Sequence, residues 1–298
     1  MVKIKRKIFL ALVIGLIFSL LFCVASSAVS VSFTKRELEY FNTVKDKDPW
    51  NHPSVTVTLG GKTVPEKAYL INDTTYIPFR AAATLAGASV SFQSQSRTAF
   101  AKMQGLELYA SDGSYIIYAN ERALLSRTPA LILDDGKMYI PIRTLAKALS
   151  LEVEWTPERV VKLEGTIKPL AHAKDYYDQD DLYWLSKIIS AESQGEPLLG
   201  QIAVGNVVLN RKASKDYPNT VYGVIFDKKY GVQFSPASDG SIYRAPSYLS
   251  VQAAKICLEG VSVSDKILFF LEPTKANSAW IVLNREYAFT VANHYFFY

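Results

Sequence analysis

The chain repeats itself. The segments Ala68-Tyr69-Leu70 and Tyr76-Ile77-Pro78-Phe79-Arg80 recur as Leu131-Ile132-Leu133 and Tyr139-Ile140-Pro141-Ile142-Arg143, each 63 residues further on. Both copies continue with an Ala/Leu-rich helical run, 81–86 and 144–149. Both then give a short alternating strand, Val90-Ser91-Phe92 and Val153-Glu154-Trp155. A period of this length marks a duplicated supersecondary unit, here strand, turn, strand, helix, strand. Residues 54–165 are therefore expected to form a compact α+β module of two halves, each burying its Ile, Leu and aromatic face against its twin. Arg80 and Arg143 occupy matching positions. They could bind an anion, but the repeat symmetry favours a structural pair at two helix starts. The module has no His or Cys, so a copper or zinc site with nitrogen or sulfur ligands is not supported.

The repeat, with its Tyr-Ile-Pro-Phe-Arg signature, resembles the copper amine oxidase N-terminal-like (stalk) domain of exported Gram-positive proteins. The resemblance covers about 110 residues and implies a spacer or wall-binding module. It does not imply copper.

The segments around the repeat divide the rest of the chain. Lys3, Lys5, Arg6 and Lys7 precede an apolar run over 8–25, and Ser26-Ser27-Ala28 offers small residues for cleavage. Residues 1–28 read as a secretory signal peptide, with an uncleaved membrane anchor as the alternative. Residues 29–53 and 166–179 read as linkers, and residues 180–298 as a second domain. The formal net charge is +5, and the four basic residues of the leader account for most of it, leaving +1. Near-neutral balance gives no basic face for nucleic acid. Of two cysteines, Cys23 lies in the leader and Cys257 remains alone. The exported protein is thus held together by its core and not by an internal disulfide. It is expected to act outside the cell as a monomer, touching membrane only through an uncleaved anchor.

The stretch over 188–197 governs the second domain. Leu182, Leu185, Ile189 and Glu192 follow one another at helical spacing, with Asp180 or Asp181 as N-cap. Glu192 therefore falls on the stripe that faces the core. A carboxylate there is costly when ionised, so its pKa should rise, as a general acid near neutral pH requires. On position alone, an ion pair with Lys187 or Arg211 is an equal reading. Gly195 and Pro197 break this helix, and Pro197 suits the start of the next, an almost wholly apolar helix over 198–211. Asn206 and Asn210, four apart on one face of it, either line a groove or satisfy neighbouring backbone.

The run Ala191-Glu192-Ser193-Gln194-Gly195-Glu196-Pro197 is followed by Gly200-Gln201-Ile202-Ala203-Val204 and Val208-Leu209-Asn210-Arg211. Next come Gln233-Phe234-Ser235-Pro236, Trp280 and His294-Tyr295-Phe296-Phe297. This ordered set resembles the spore cortex-lytic cell-wall hydrolase family over roughly 180–298. The resemblance implies a small lysozyme-like α/β domain that cleaves peptidoglycan glycan strands with Glu192 as the catalytic acid, secreted to the cell wall or spore cortex. Substrate contacts then fall on Ser193, Asn206, Gln233, Phe234, Tyr243, Trp280 and His294. Two positions depart from the family's pattern: Glu272 precedes Pro273 where the family has Asn, and Ala292 replaces a Gly. Glu272 is thereby a possible second carboxylate.

Three wall chemistries make different demands on the residues. A zinc amidase needs about three protein ligands, but this half offers only His172 and His294. A cysteine peptidase needs an activated thiolate, whereas Cys257 reads as a small core residue. Glycosidic cleavage needs one placed acid and, for hydrolysis, usually a second carboxylate. A lytic transglycosylase manages with one, because the 6-hydroxyl of the muramic residue closes a 1,6-anhydro ring intramolecularly. Among Glu196, Asp239 and Glu272 as second carboxylate, Glu196 reads better as a charge at a helix start. No cofactor or metal is called for. An N-acetylmuramoyl-L-alanine amidase and a non-catalytic wall-binding protein remain as alternatives. Past the central helices, residues 228–244 read as a long loop. Residues 267–271 read as a strand, with the runs at 280–282 and 295–298 pairing to it.

Overall fold

A computed structural model describes residues 40–229, 231–274 and 280–298. Residues 1–28, read from the sequence as a signal peptide, lie outside the described residues. Among those described, no helix is long and apolar enough to cross a membrane.

The repeat builds the first half. Strands β1 (Ser54–Leu59), β2 (Lys62–Thr63), β3 (Ala68–Ile71) and β4 (Thr74–Pro78) lead into helix α1 (Phe79–Leu85). A five-stranded antiparallel meander follows, of β5 (Ser89–Gln93), β6 (Thr98–Met103), β7 (Leu106–Ser111), β8 (Ile116–Ala119) and β9 (Arg122–Leu125). The second copy runs through β10 (Leu131–Ile132), β11 (Met138–Pro141), helix α2 (Ile142–Leu149) and β12 (Glu152–Trp155), closing with β13 (Val160–Glu164). The halves meet where their signatures pair antiparallel. Tyr76 faces Pro141, Ile77 faces Ile140, and Pro78 faces Tyr139. This register is a local two-fold centred on Ile77 and Ile140, both at 0% exposure. Proline has no N–H for the ladder and holds φ near −60°. Pro78 and Pro141, at φ −63° and −58°, thus end their strands and sit at the N-caps of α1 and α2. The copies then diverge. β5 opens the meander, whereas β12 joins β13, which runs parallel to β1.

The second half is helical with a small sheet. It contains α3 (Ala173–Tyr176), α4 (Gln179–Ser193), α5 (Leu198–Ala213), α6 (Val221–Phe226), α7 (Ser235–Asp239) and α8 (Tyr248–Leu258). Strand β14 (Phe269–Leu271), helix α9 (Trp280–Asn284) and strands β15 (Tyr287–Val291) and β16 (His294–Phe297) complete it. The sheet order is β14-β16-β15. Three expectations need correction. The N-cap of α4 is Asp178, whose carboxylate accepts from Asp181 N at 3.0 Å, so Asp180 and Asp181 lie in the first turn. The run at 280–282 is helical, not a strand. The stretch 228–244 is not all loop, because Ser235–Asp239 forms α7 with Pro236 in its first turn.

Helix α5 is the buried centre, with Leu199, Ile202, Ala203, Val204, Val207 and Val208 all at 0% exposure. Gly205 sets how closely its neighbours approach. A Cβ there would stand 2.7 Å from Cys257 Sγ on α8 and 2.9 Å from Ile189 Cδ1 on α4. Asn206 and Asn210 take the backbone reading. Asn206 donates to Val261 O at 3.0 Å and accepts from Val263 N at 2.8 Å; Asn210 donates to Ser264 O and Ile267 O.

The described parts of the two segments read as linkers pack against the core through Phe41 and Tyr177. Phe41 is 2% exposed within the same apolar cluster as α4, α5 and α8, and Ile116 and Ala123 of the meander join it there. Tyr177 donates to Glu259 at 2.7 Å. Glu259 follows α8 and accepts from Arg122 Nε at 2.6 Å and Nη2 at 2.9 Å, with Lys147 Nζ 2.8 Å away. Burial alone would raise the Glu259 carboxyl. The hydrogen bonds from Arg122, Lys147 and Tyr177 outweigh it and hold the group below the usual carboxylate range.

Candidate active site

Glu192 lies in the last turn of α4, where the apolar stripe of that helix reaches the wall of a cleft. The cleft encloses about 1390 Å3 between the carboxyl end of α4, the 232–241 segment, β14, α9 and His294. Burial, and secondarily the negative charge of Asp239, push the Glu192 carboxyl up to about 7. No hydrogen-bonding partner of its side chain is found among the described residues. Lys187 and Arg211, the cations that an ion-pair reading would need, are engaged elsewhere. Lys187 Nζ donates to the carbonyls of Tyr243 and Arg244 at 3.1 and 2.8 Å. Arg211 Nε donates to Leu268 O at 2.7 Å.

Asp239 is the acid's electrostatic partner across the cleft. Hydrogen bonds from Ser241 hold its own carboxyl below the usual range, with help from the Arg244 charge. It therefore stays ionised while Glu192 keeps its proton, an asymmetry that environment alone imposes on two carboxyls.

The residues named from the sequence separate into two groups. Gln233, Glu272, Trp280 and His294 line the cleft with Glu192. Gln233 Oε1 accepts from Arg211 at 3.4 Å, and its amide donates to Gly231 O. Trp280 is half-exposed on the first turn of α9, with the Arg285 guanidinium 5.0 Å from its ring centre. Glu272 accepts from the Thr274 hydroxyl at 2.9 Å. His294 is 3% exposed, and its Nδ1 lies 3.6 Å from Glu196 Oε2.

Ser193, Asn206, Phe234 and Tyr243 do not line it. Ser193 spends its hydroxyl on Ile189 O at 2.8 Å inside α4. Asn206 is buried as described. Phe234 is 2% exposed beneath the Arg211 guanidinium. Tyr243 is exposed and turned to the edge of Trp184. Glu196 is also structural. It accepts from Asn293 N at 3.2 Å and from Asn293 Nδ2 at 3.0 Å, tying the β15–β16 turn to the start of α5. Ala292 takes φ +47° in that turn, the left-handed conformation for which glycine is the usual residue.

Arg211 and Arg285, which the resemblance does not imply as substrate contacts, also line the cleft. Arg211 stands near Phe234, Tyr217 and Phe269. Arg285 bridges Phe269 and Trp280. Arg211 closes the Val208-Leu209-Asn210-Arg211 run, but its place among these rings, like that of Arg285, is set by distant elements. Cys257 is buried, and burial pushes its thiol up, which suits a core residue and not a nucleophile.

The comparisons with known proteins bear on both halves. Residues 195–297 match the cell wall hydrolase family, and residues 58–163 match the copper amine oxidase N-terminal domain family. The C-terminal half carries a cell wall hydrolase domain. The family match begins just past Glu192, so the geometry of that residue stands as independent support for the cleft. The spore cortex-lytic enzyme of Bacillus cereus is 38% identical over 105 residues, 35% of this chain and 39% of that protein. The enzyme of the same name from Bacillus subtilis is 34% identical, over 35% of this chain and 33% of that protein. The chain thus spans about two fifths or less of these relatives' lengths. Among solved structures, the catalytic domain of the germination-specific lytic transglycosylase SleB from Bacillus anthracis is 34% identical. It covers 41% of this chain and 97% of that one, at a TM-score of 0.37. Outside the cell wall hydrolase domain, Arg122 of β9 and Lys147 of α2 bond the Glu259 carboxylate at the end of α8.

Proposed function

We propose that the protein degrades peptidoglycan, cleaving the glycan strand between N-acetylmuramic acid and N-acetylglucosamine, with spore cortex as the substrate. The observation that carries the proposal is Glu192, a carboxyl held to about 7 at the wall of a cleft of polysaccharide size. Near neutral pH a large share of the molecules hold the proton that the bridging oxygen must receive. Protonation of that oxygen lets the glycosidic bond break toward an oxocarbenium-like centre. Asp239, ionised in the same cleft, adds negative potential there. Glu192, now a carboxylate, takes the proton of the muramic 6-hydroxyl as it attacks the anomeric carbon, leaving a 1,6-anhydro end. No second carboxylate is then needed. The solved relative's designation as a lytic transglycosylase supports this single-acid route.

Trp280 offers an aromatic face, and Gln233 and His294 offer polar groups, for seating the sugars. Export through the leader and action in the wall or cortex complete the proposal. The domain divisions at 54–165 and 180–298 belong to it.

Mass spectrometry of digested cortex glycan tests this. The expected product carries a 1,6-anhydromuramic end, with a rate in Glu192→Gln lower by at least the ~10²-fold typical of losing a general acid. A reducing muramic product, together with loss of activity in Glu272→Gln, would show a two-carboxylate hydrolase instead. Release of free stem peptide, abolished by a chelator and restored by zinc, would show an amidase.

A further inference from the structure

We propose that the repeat module carries a second binding groove, for the carboxylate-bearing stem peptides of peptidoglycan; the ligand class rests on the activity proposed above. The groove encloses about 790 Å3, within the range of ligand sites. The β3–β4 turn, the segment after β9, the start of α2, β12 and Val261 line it. It is separate from the Glu192 cleft, with which it shares no lining residue.

Its charge is one-sided. Arg127, Arg143 and Lys147 line it against a single carboxylate, Asp73. Their engagements leave positive charge available. Arg127 Nε donates to the neutral carbonyl of Tyr40 at 3.2 Å. Lys147 meets Glu259, but that carboxylate already holds the buried Arg122, so two cations share one anion. Arg143 is exposed, and no carboxylate pairs with it among the described residues. Cations grouped with so little compensation select an anionic ligand, and guanidinium suits a planar carboxylate. Trp155, 47% exposed on β12, offers a flat face beside them.

The two copies of the repeat show why only one has this groove. Arg80 and Arg143 are equivalent in sequence and both exposed, yet only Arg143 lines it. The second copy's strand, β12, returns to the main sheet and brings Trp155 alongside. The first copy's strand, β5, departs into the meander.

The test is sedimentation of the full-length protein with purified sacculi freed of wall polymers, in a Glu192→Gln background so that the glycan persists. Sacculi with native carboxylates are compared with sacculi whose carboxylates have been amidated. Arg143→Glu should weaken binding to native sacculi at least fivefold, Arg143→Lys much less, and Trp155→Ala to an intermediate degree. Amidation should lower binding of the parent protein and erase the difference made by Arg143→Glu. Thermal melting of each variant verifies folding, and Arg143→Lys and Trp155→Ala keep the test open if Arg143→Glu does not fold. Equal binding by all the folded variants overturns the groove. An Arg143 effect seen only on walls retaining phosphate polymers overturns the stem-peptide assignment. If the wild-type protein cleaves no glycan while Arg143→Glu still loses carboxylate-dependent binding, the groove stands and the enzymatic proposal falls.

Discussion

Glu192 imposes a stability cost that its replacement removes. Its value of about 7 in the folded protein exceeds the ordinary 4.5, so between those pH values the native state binds more protons than the unfolded state. Stability therefore falls as pH rises through this window, by at most about 3 kcal/mol, and is unaffected below it. Glu192→Gln should melt higher than wild type above pH 7 and match it below pH 4.5, measured by calorimetry across pH. The same value places the alkaline limb of the rate profile near 7. Asp239 contributes to it by charge, so Asp239→Asn should move that limb to lower pH while the bond cleaved stays the same. A limb that does not move would detach Asp239 from the acid's environment.

At the scale of elements, the cell wall hydrolase domain depends on α5 lying close against α4 and α8. Gly205 permits that closeness, and a Cβ in its place meets Cys257 and Ile189 below van der Waals distance. Helix propensity alone favours Ala over Gly by about 1 kcal/mol. Overpacking a tight core costs about 1–3 kcal/mol. The contacts at 2.7 and 2.9 Å involve a fully packed α4 side chain and a buried sulfur, so packing should win and Gly205→Ala should destabilise. Because Ile189 lies one turn before Glu192, activity should decline along with the melting temperature. A more stable Gly205→Ala protein would mean that the helices can separate freely.

Across the whole molecule, the repeat module and the hydrolase domain share buried structure. Glu259 is the joint, with its side chain 1% exposed against Arg122, Lys147 and Tyr177. Removing one partner of a buried pair leaves the other charge uncompensated, at a cost of about 3–5 kcal/mol. Glu259→Ala should lower stability by that order in denaturant titrations. Its depressed carboxyl fixes the pH sign. The stabilisation is present above the unfolded value of 4.5 and is lost as pH falls through the lower folded value. An unchanged midpoint in Glu259→Ala would indicate a module that merely rests beside the domain.

Much of this was legible in the chain because it is written locally. The 63-residue repeat led to the paired halves, since a duplicated unit must bury its face against its twin. Helical spacing placed Glu192 on a core-facing stripe, and the Gly195–Pro197 break ended the helix there. What local pattern could not decide was which side chains turn to the cleft. Asn206 and Gln233 are both amides within the matched region, yet one ties down backbone and the other lines the cleft. Trp280 begins a helix where strand pairing was expected, and Arg80 and Arg143 share one motif but not one environment. These outcomes depend on contacts between residues far apart in sequence. Periodicity orients a side chain relative to its own element, and only the packing of elements against one another determines what that side chain meets.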